Sequence, residues 1–228
     1  AYPMATSQDH KRIYDNDIGP NTGGMGAYSP TPVIDEKLAD IIQRDVIEKT
    51  VSCMKKEGIP FCGFMYAGIM VRDGRPYVLE FNARMGDPEC QPIMVRMESD
   101  LVDYIQACIK GNLSSLPKIS WSKKSAVCVV LASKDYPGSY KKDEEILGLD
   151  KPNANDINDN NSFVFHAGTK LVNDKVLTNG GRVLGVTATG GTLQEAITNA
   201  YGRAARISFP SKYCRSDIGK KGLDVSVL

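Results

Sequence analysis

The first regular pattern of apolar residues lies between Asp35 and Gly58. Within this stretch, apolar residues recur at the three- and four-residue spacing of one helix face: Leu38, Ile41, Ile42, Val46 and Met54. Asp35 stands before the pattern as an N-cap residue, and Gly58 stops it. The pattern predicts one amphipathic helix of about five to six turns, at about 3.6 residues per turn.

Two apolar runs follow this helix. The first covers residues 64–71, and the second begins at Pro76 and extends through Arg84. An Asp73-Gly74 pair between two such runs is typical of a β-hairpin turn. The pattern therefore predicts two antiparallel strands in this part of the chain.

Apolar and polar side chains alternate along the second strand of this hairpin. Its apolar face carries Tyr77, Leu79 and Phe81. Glu80 and Asn82 lie on the opposite face, where a carboxylate and an amide oxygen could bind one Mg²⁺ ion. Arg84, predicted to lie next along the same face, suits a phosphate or a carboxylate. The same pattern is also typical of an exposed strand with an ordinary polar face.

Beyond the hairpin, the pattern predicts a helix capped by Ser99 that ends at Gly111, and then a polar stretch, residues 112–124. Short strands follow at residues 126–132, 163–167 and 182–188, with a turn at Asn173-Asp174. Thr192 and Glu195 match a capping box before a helix with a small-residue face. We therefore predict an α+β protein of two domains, residues 1–118 and 123–222, and a solvated loop at residues 153–161.

Composition narrows the class of protein. The chain is 42% hydrophobic and 24% charged, which is ordinary for a globular protein, and its net charge near +1 recruits neither nucleic acid nor an anionic membrane. No apolar run reaches the length of a membrane span. Six cysteines without a Cys-x-x-Cys pair favour reduced thiols and a cytoplasmic location. The chain begins with Ala1 and without a signal for the start of a domain, so we expect it to be part of a longer protein.

Residues 7–32 are rich in turn formers and charges and lack periodicity, which predicts a long functional or mobile loop. The segment Gly19–Gly26 has four glycines but no Gly-Lys-Ser/Thr, so it is not a P-loop. Its backbone N–H groups could bind an anion, although such segments are more often plain turns. His10, in the charged run 9–12, could titrate near neutrality. Residues 85–89 add two acids directly after the strand and resemble a loop that binds an amine or supports a metal.

Several motifs occur in an order that resembles the phosphoribosylamine–glycine ligases, also called glycinamide ribonucleotide synthetases, of the ATP-grasp superfamily. These motifs are residues 7–12, 19–28, 66–68, 79–84, 86–89, 165–169, 179–184 and 215–219. The resemblance covers the chain from about residue 3 to residue 219. It implies the C-terminal half of an ATP-grasp domain, an antiparallel sheet with helices, followed by a small α+β domain with a mixed sheet.

The resemblance also implies an activity. Members of this family condense glycine with 5-phosphoribosylamine at the expense of ATP, in the second step of purine synthesis. The γ-phosphate passes to the glycine carboxylate to give glycyl phosphate, and the phosphoribosylamine nitrogen then displaces phosphate. No covalent enzyme intermediate is needed, so positioning and neutralisation of charge are the expected work of the site.

Roles for individual residues follow from the same resemblance. Glu80 and Asn82 match the magnesium ligands of the family, which also accept manganese, and Arg84 is the expected catalytic cation. The substrate-binding residues expected in the first loop are Asp9, His10, Lys11, Asn21, Thr22, Gly23, Gly24, Met25 and Gly26. Those expected at the acceptor site are Asp87, Pro88 and Glu89.

Ala83 and Met85 stand where many relatives are expected to have Cys and Phe. Family members also carry an N-terminal half that holds adenine and the α- and β-phosphates, and these 228 residues lack it. That half of the same polypeptide is therefore the expected partner, and the chain alone is expected to be inactive. Two alternatives stay open, namely a carboxylase or carbamoyl phosphate synthetase-like ATP-grasp domain, and a non-catalytic module that has lost ATP.

Overall fold

The computed structural model describes residues 1–149 and 161–224; residues 153–160 of the predicted solvated loop lie outside this range. The strands among the described residues are β1 (Gln8–Asp9), β2 (Arg12–Tyr14), β3 (Ile18–Asn21), β4 (Gly26–Ser29), β5 (Tyr66–Arg72), β6 (Arg75–Asn82), β7 (Ser125–Ser133), β8 (Ser162–His166), β9 (Thr169–Val172), β10 (Lys175–Thr178), β11 (Arg182–Gly190) and β12 (Lys212–Tyr213). The α-helices are α1 (Glu36–Ile42), α2 (Lys49–Lys56), α3 (Cys90–Met94), α4 (Leu101–Ile109) and α5 (Leu193–Ala205).

The largest sheet is antiparallel and has the strand order β1-β4-β7-β11-β8, with β12 also paired to β7. Its register places Gly26 opposite Val129 and Ser29 opposite Ala126. A strand from the start of the chain therefore lies directly beside a strand from its second half. The division into residues 1–118 and 123–222 stays a prediction, and this sheet includes strands from both parts.

The core lies where α5 packs on β7 and β11. Strands β7 and β11 are almost entirely buried, and Ala196, Ala200 and Ala204 of α5 are at most 2% exposed. These small side chains let the helix lie close to the sheet. The predicted cap at Thr192 is confirmed, because Glu195 N donates to Thr192 Oγ1 at 3.1 Å. The returning bond differs from a standard capping box, since Glu195 Oε2 accepts from Gly191 N at 2.8 Å, one residue before the cap.

The predicted helix after Asp35 is confirmed, with one irregularity. Leu38 N donates to Asp35 Oδ1 at 2.7 Å, which caps α1. The helical path continues from α1 through a π-helical turn at Gln43–Glu48 into α2 and stops before Gly58, whose φ is +79°. The spacing of apolar residues did not reveal the wider turn.

The hairpin is also confirmed, and its turn residues Asp73 and Gly74 have positive φ angles of 51° and 67°. A β-bulge interrupts the predicted alternation of faces, because Gly68 pairs with Glu80 whereas Ile69 pairs with Val78. The second strand was predicted too long. β6 ends at Asn82 opposite Tyr66, the first residue of β5, so Arg84 has no partner strand and lies past the end of the sheet.

Two other local predictions were wrong. Asp100, not Ser99, caps α4, because Asp100 Oδ1 accepts from Val102 N at 2.9 Å. The long N-terminal loop predicted at residues 7–32 contains four strands, β1 to β4, and β4 is buried within the main sheet. Its sequence lacks strand periodicity because β4 is short and covered on all sides. None of the described helices has the length and apolar character needed to cross a bilayer.

Candidate functional site

The glycine-rich segment and the acidic loop, which are far apart in sequence, meet in the structure. Gly24 has a φ of +114°, and a Cβ atom added there would lie 2.3 Å from Pro88 Cδ and 2.8 Å from Asp9 Oδ1. Only glycine fits this backbone geometry and this contact. The structure thus places Asp9, Gly24, Asp87 and Pro88 side by side, as neighbours within one site.

Arg182, at the start of β11, holds these two loops together. Its guanidinium forms a two-bond ion pair with Asp87, with distances of 3.0 Å from Nη1 to Oδ1 and 2.6 Å from Nη2 to Oδ2. Nη1 also donates to Gly23 O at 2.8 Å. Such a forked pair fixes both distance and orientation. Arg182 therefore links the main sheet to both predicted substrate loops.

A pair of buried carboxylates, Asp9 and Glu89, lies behind this contact. Burial, together with the negative charge of Glu89, raises the pKa of Asp9 to about 6. Asp9 Oδ1 accepts from His10 N at 2.6 Å, and Lys11 Nζ lies 2.5 Å from Asp9 Oδ2. One lysine thus faces a site that holds two acids.

Glu89 is 3% exposed and only partly satisfied. Tyr66, on β5, donates from its hydroxyl to Glu89 Oε1 at 2.8 Å, while Glu89 Oε2 is buried and accepts no hydrogen bond from the described residues. Burial and the charge of Glu89 raise the pKa of Tyr66, so it stays a donor. A buried carboxylate oxygen without a partner is costly, and a bound cationic group would remove that cost.

Glu80 and Asn82 are the predicted metal ligands on β6. Glu80 is exposed, and its negative charge contributes to the raised pKa values of Tyr66 and Lys11. Burial is the largest influence on both groups: it raises the pKa of Tyr66 and lowers that of Lys11, where the neighbouring acids outweigh it. Glu80 therefore lies close enough to Tyr66 and Lys11 to act on both groups together with Asp9 and Glu89. Over residues 1–149 and 161–224, no group of three or more His, Cys, Asp or Glu side chains is arranged to hold a metal ion. Two oxygen donors fit a hard cation that takes its other ligands from water and phosphate.

Arg84 is exposed beyond β6, and its Nη1 donates to the neighbouring Met85 O at 2.9 Å. The described contacts do not tie this guanidinium to another loop of the site. Its assignment as the catalytic cation stays a prediction.

His10 does not have the properties expected of it. The ring is fully buried, and burial, together with the positive charges of Arg215 and Lys221, lowers the pKa of His10 to about 4. Gly219 N donates to Nε2 at 3.4 Å, so Nδ1 carries the proton that points to Gly26 O at 3.2 Å. The expected titration near neutrality is therefore wrong, and His10 joins β4 to the C-terminal segment inside the protein.

The other substrate-binding residues predicted in the first loop are either buried or accessible. Met25 and Gly26 are buried: Gly26 is the first residue of β4, and the Met25 side chain lies in the core. Asn21 and Gly23 are exposed, and Thr22 shapes the turn by donating to Lys11 O at 2.8 Å and accepting from Gly24 N at 2.9 Å. Of these five residues, Asn21, Thr22 and Gly23 are the ones that a ligand can reach from solvent.

Sequence analysis did not assign functions to two residues that organise the site, Arg182 and Tyr66. Both occur in motifs that carry the family resemblance, at residues 179–184 and 66–68. Their partners, Asp87 and Glu89, are 95 and 23 positions away. Only the motifs themselves could have drawn attention to these side chains.

Two domains of one protein family match this chain. Residues 1–90 match the ATP-grasp (A) domain of phosphoribosylglycinamide synthetase, and residues 126–221 match the C domain of the same family. The chain is 50% identical to phosphoribosylamine–glycine ligase of Vibrio cholerae, over 97% of this chain and 50% of that protein. It therefore spans about half the length of this relative.

Solved structures of other proteins are similar to this chain. A crystal structure of phosphoribosylamine–glycine ligase from Thermotoga maritima is similar with a TM-score of 0.82 and 36% identity, over 94% of this chain and 51% of that one. The biotin carboxylase domain of a thermophilic 2-oxoglutarate carboxylase is similar with a TM-score of 0.61 and 12% identity, over 91% of this chain and 44% of that one. The second likeness concerns the fold alone.

Proposed function

The chain belongs to the phosphoribosylglycinamide synthetase family, and from this premise we propose that it forms part of a ligase that joins glycine to 5-phosphoribosylamine with ATP. ATP phosphorylates the glycine carboxylate, giving glycyl phosphate and ADP. The amine of phosphoribosylamine then attacks the carbonyl carbon and displaces phosphate. We propose a cytoplasmic location for this reaction.

The observation that carries the proposal is the buried Asp9–Glu89 pair beneath the contact between the two loops. We assign the ammonium group of glycine to this pair, because Glu89 Oε2 accepts no hydrogen bond from the described residues and Asp9 has a raised pKa. A bound ammonium would satisfy the free oxygen and stabilise both carboxylates in their charged form. Tyr66 and Lys11 orient the two acids through the contacts described above.

We assign Mg²⁺ or Mn²⁺ to Glu80 and Asn82, whose oxygen donors fit a hard cation. When bound, the ion would neutralise charge on the phosphoryl group in transfer. Arg84, just past these ligands, would hold phosphate or the glycine carboxylate. Arg182 would keep Gly23 and Asp87 in position, so the exposed Asn21 and Gly23 and the half-buried Thr22 could contact phosphoribosylamine.

The chain spans about half the length of the relative from Vibrio cholerae. We propose that the remaining half supplies the groups that hold adenine and the α- and β-phosphates, and that the 228-residue chain does not turn over alone. A coupled assay of ADP release with glycine and phosphoribosylamine tests this on the chain and on the full-length protein. Robust turnover by the chain itself would contradict the proposal.

The metal assignment needs its own variants in the full-length protein. We expect Glu80→Gln to reduce kcat at least about a hundredfold, since neutralisation of developing charge is the main contribution at such sites. Asp73→Asn is the matched control, because Asp73 is an exposed carboxylate at the turn of the same hairpin and Asn tolerates its positive φ. Equal activities of the two variants would contradict the assignment of Glu80 as a metal ligand.

The substrate class can be tested separately from the metal. If the site is built for an amino acid, ADP release should require glycine and phosphoribosylamine together, and bicarbonate in place of glycine should give only background. ADP release with bicarbonate would instead favour a carboxylase.

A further inference from the structure

Two cysteine thiols that are not among the proposed site residues lie close together. Cys62 Sγ lies 3.7 Å from Cys108 Sγ and 3.6 Å from Cys108 O, although the residues are 46 positions apart. Cys62 lies between α2 and β5, and Cys108 lies in the last turn of α4. A disulfide has an S–S distance of about 2.05 Å, so the sulfurs need to approach by less than about 2 Å.

The surroundings of Cys62 allow that approach. Cys62 is exposed and Cys108 is half-buried, so both are reachable from solvent. The next residue, Gly63, has a φ of +129° and open space around its Cα, and Ile59 on the same segment is 57% exposed. One thiol therefore lies on an adjustable loop, while the other is held by a helix.

We propose that Cys62 and Cys108 form a reversible redox site that closes to an intramolecular disulfide on reaction with a small disulfide such as oxidised glutathione. Cys62, the more exposed thiol, attacks as the thiolate and releases one glutathione, leaving a mixed disulfide on the protein. Cys108, as the thiolate, then attacks the Cys62 sulfur and expels the second glutathione. The protein loses two hydrogens and two electrons, and one oxidised glutathione becomes two reduced ones.

The other four cysteines lack this combination of access and a neighbouring thiol. Cys90 and Cys214 are half-buried, and burial raises the pKa of both thiols. Cys128 is fully buried, and burial raises the pKa of its thiol to about 12. Cys53 is exposed on α2, and no hydrogen bond joins its sulfur to another described cysteine, whereas one joins Cys62 to Cys108. Cys62 and Cys108 therefore combine access and proximity. The hydrogen bond with Cys108 raises the pKa of the Cys62 thiol, so the exchange is faster at alkaline pH.

Formation of the Cys62–Cys108 disulfide would also affect β6, the strand that carries the proposed metal ligands. The bond would tie the segment before β5 to α4, and β5 pairs with β6 along its length. The oxidised protein would thus have a more constrained hairpin. The redox site itself rests on the sulfur geometry and does not depend on the proposed ligase activity.

The test uses the reduced 228-residue chain and an excess of oxidised glutathione. After the reaction, free thiols are alkylated and the product is analysed by intact mass and peptide mapping. We expect a peptide linking Cys62 to Cys108 with neither thiol alkylated, and a glutathione adduct that stays on the exposed Cys53, so that three of the six thiols of the reduced chain remain to be alkylated. Dithiothreitol should restore the reduced mass.

Cys53→Ser is the matched control and should form the same linked peptide as the parent, without the glutathione adduct on residue 53. Cys62→Ser and Cys108→Ser should form no internal disulfide, and Cys108→Ser should retain a stable glutathione adduct on Cys62. Far-UV circular dichroism checks that each variant is folded. A lasting glutathione adduct on Cys62 in the parent, or a linked peptide between other cysteines, would overturn the proposal.

Discussion

Strands β7 and β6 are both rich in apolar residues, yet they have opposite environments. Residues 126–133 of β7 are at most 3% exposed, whereas Leu79 and Phe81 of β6 are 64% and 44% exposed. β7 lies between β4 and β11 and contacts α3 and α5, while β6 pairs only with β5 and contacts α1. Apolar content therefore predicted both strands, but the burial of each depends on the elements that pack against it.

The candidate site lies where these two regions meet. Asp9 and Gly24 belong to the part of the chain that pairs with the main sheet, whereas Glu80 and Asn82 lie on the hairpin. Tyr66 connects the hairpin to Glu89 through one hydrogen bond. The proposed glycine site is thus anchored to the sheet, and the proposed metal ligands lie on the less covered element.

The largest expected effect comes from the covered region. Leu184, on β11, is fully buried, and Leu184→Ala should lower the free energy of unfolding by about 2–5 kcal/mol, because it removes buried methyl groups and leaves a cavity. Urea denaturation of the 228-residue chain measures this change. Leu79→Ala is the matched control on the hairpin and should change stability by less than about 0.5 kcal/mol. Similar losses of stability in both variants would contradict the difference in packing between the main sheet and the hairpin.

A smaller effect is expected at the contact between the loops. Gly24→Ala would place a methyl group against Pro88 and Asp9 at a positive φ, which we expect to cost about 1–3 kcal/mol of stability. Gly202→Ala serves as the control, because a Cβ there meets nothing within 4 Å and Ala favours the helix. A Gly24 variant as stable as the parent would mean that the loops separate without cost.

The raised pKa of Asp9 predicts a dependence on pH. The native state holds more protons than the unfolded chain between about pH 4 and 6, so this group makes the free energy of unfolding fall as pH rises through that window. Asp9→Asn lacks this loss, so its stability relative to the parent should rise by about 1–3 kcal/mol between pH 4 and pH 7, at about 1.4 kcal/mol per pKa unit. Denaturation of both proteins across this pH range measures the difference.

The opposite slope expected from His10, whose pKa is lowered to about 4, is present in both proteins and cancels in that difference. A difference between Asp9→Asn and the parent that stays constant from pH 4 to 7 would contradict the raised pKa of Asp9.

The smallest of these effects concerns Arg182 and Asp87. A double-mutant cycle with Arg182→Met and Asp87→Asn should give a coupling energy of about 1 kcal/mol, because the pair is two-pronged but partly exposed. The exposed pair Lys175–Glu145 provides the comparison and should couple by less than about 0.5 kcal/mol. Equal coupling in both pairs would mean that Arg182 contributes no more than an ordinary surface charge.

Local patterns predicted most of the α+β fold. Caps, turns and periodicity located the helix after Asp35, the Asp73-Gly74 hairpin and α5, because each depends on residues close in sequence. They did not predict the π-helical turn or the strands within residues 8–29. β4 is a strand because β7 and β1 pair with it, and its own four residues carry little propensity.

The candidate site was predicted unevenly for the same reason. The family resemblance identified the two loops, and the structure brings Gly24 and Pro88 into contact. The burial of His10 was not evident, because the residues around it, Gly26 and Gly219, come from distant parts of the chain. The role of Arg182 depends on a partner 95 positions away. The roles of Glu80, Asn82 and Arg84 stay predictions.

The pairing of β4 with β7 has a consequence for how the protein is made. A ribosome synthesises β4 about a hundred residues before β7, which at about 5–20 residues per second takes about 5–20 s. During that time Met25 and Tyr28, both fully buried in the finished fold, have no sheet to cover them. The first strands of the chain are therefore among the last to reach their final place, and the proposed glycine site forms only after the C-terminal strands have emerged.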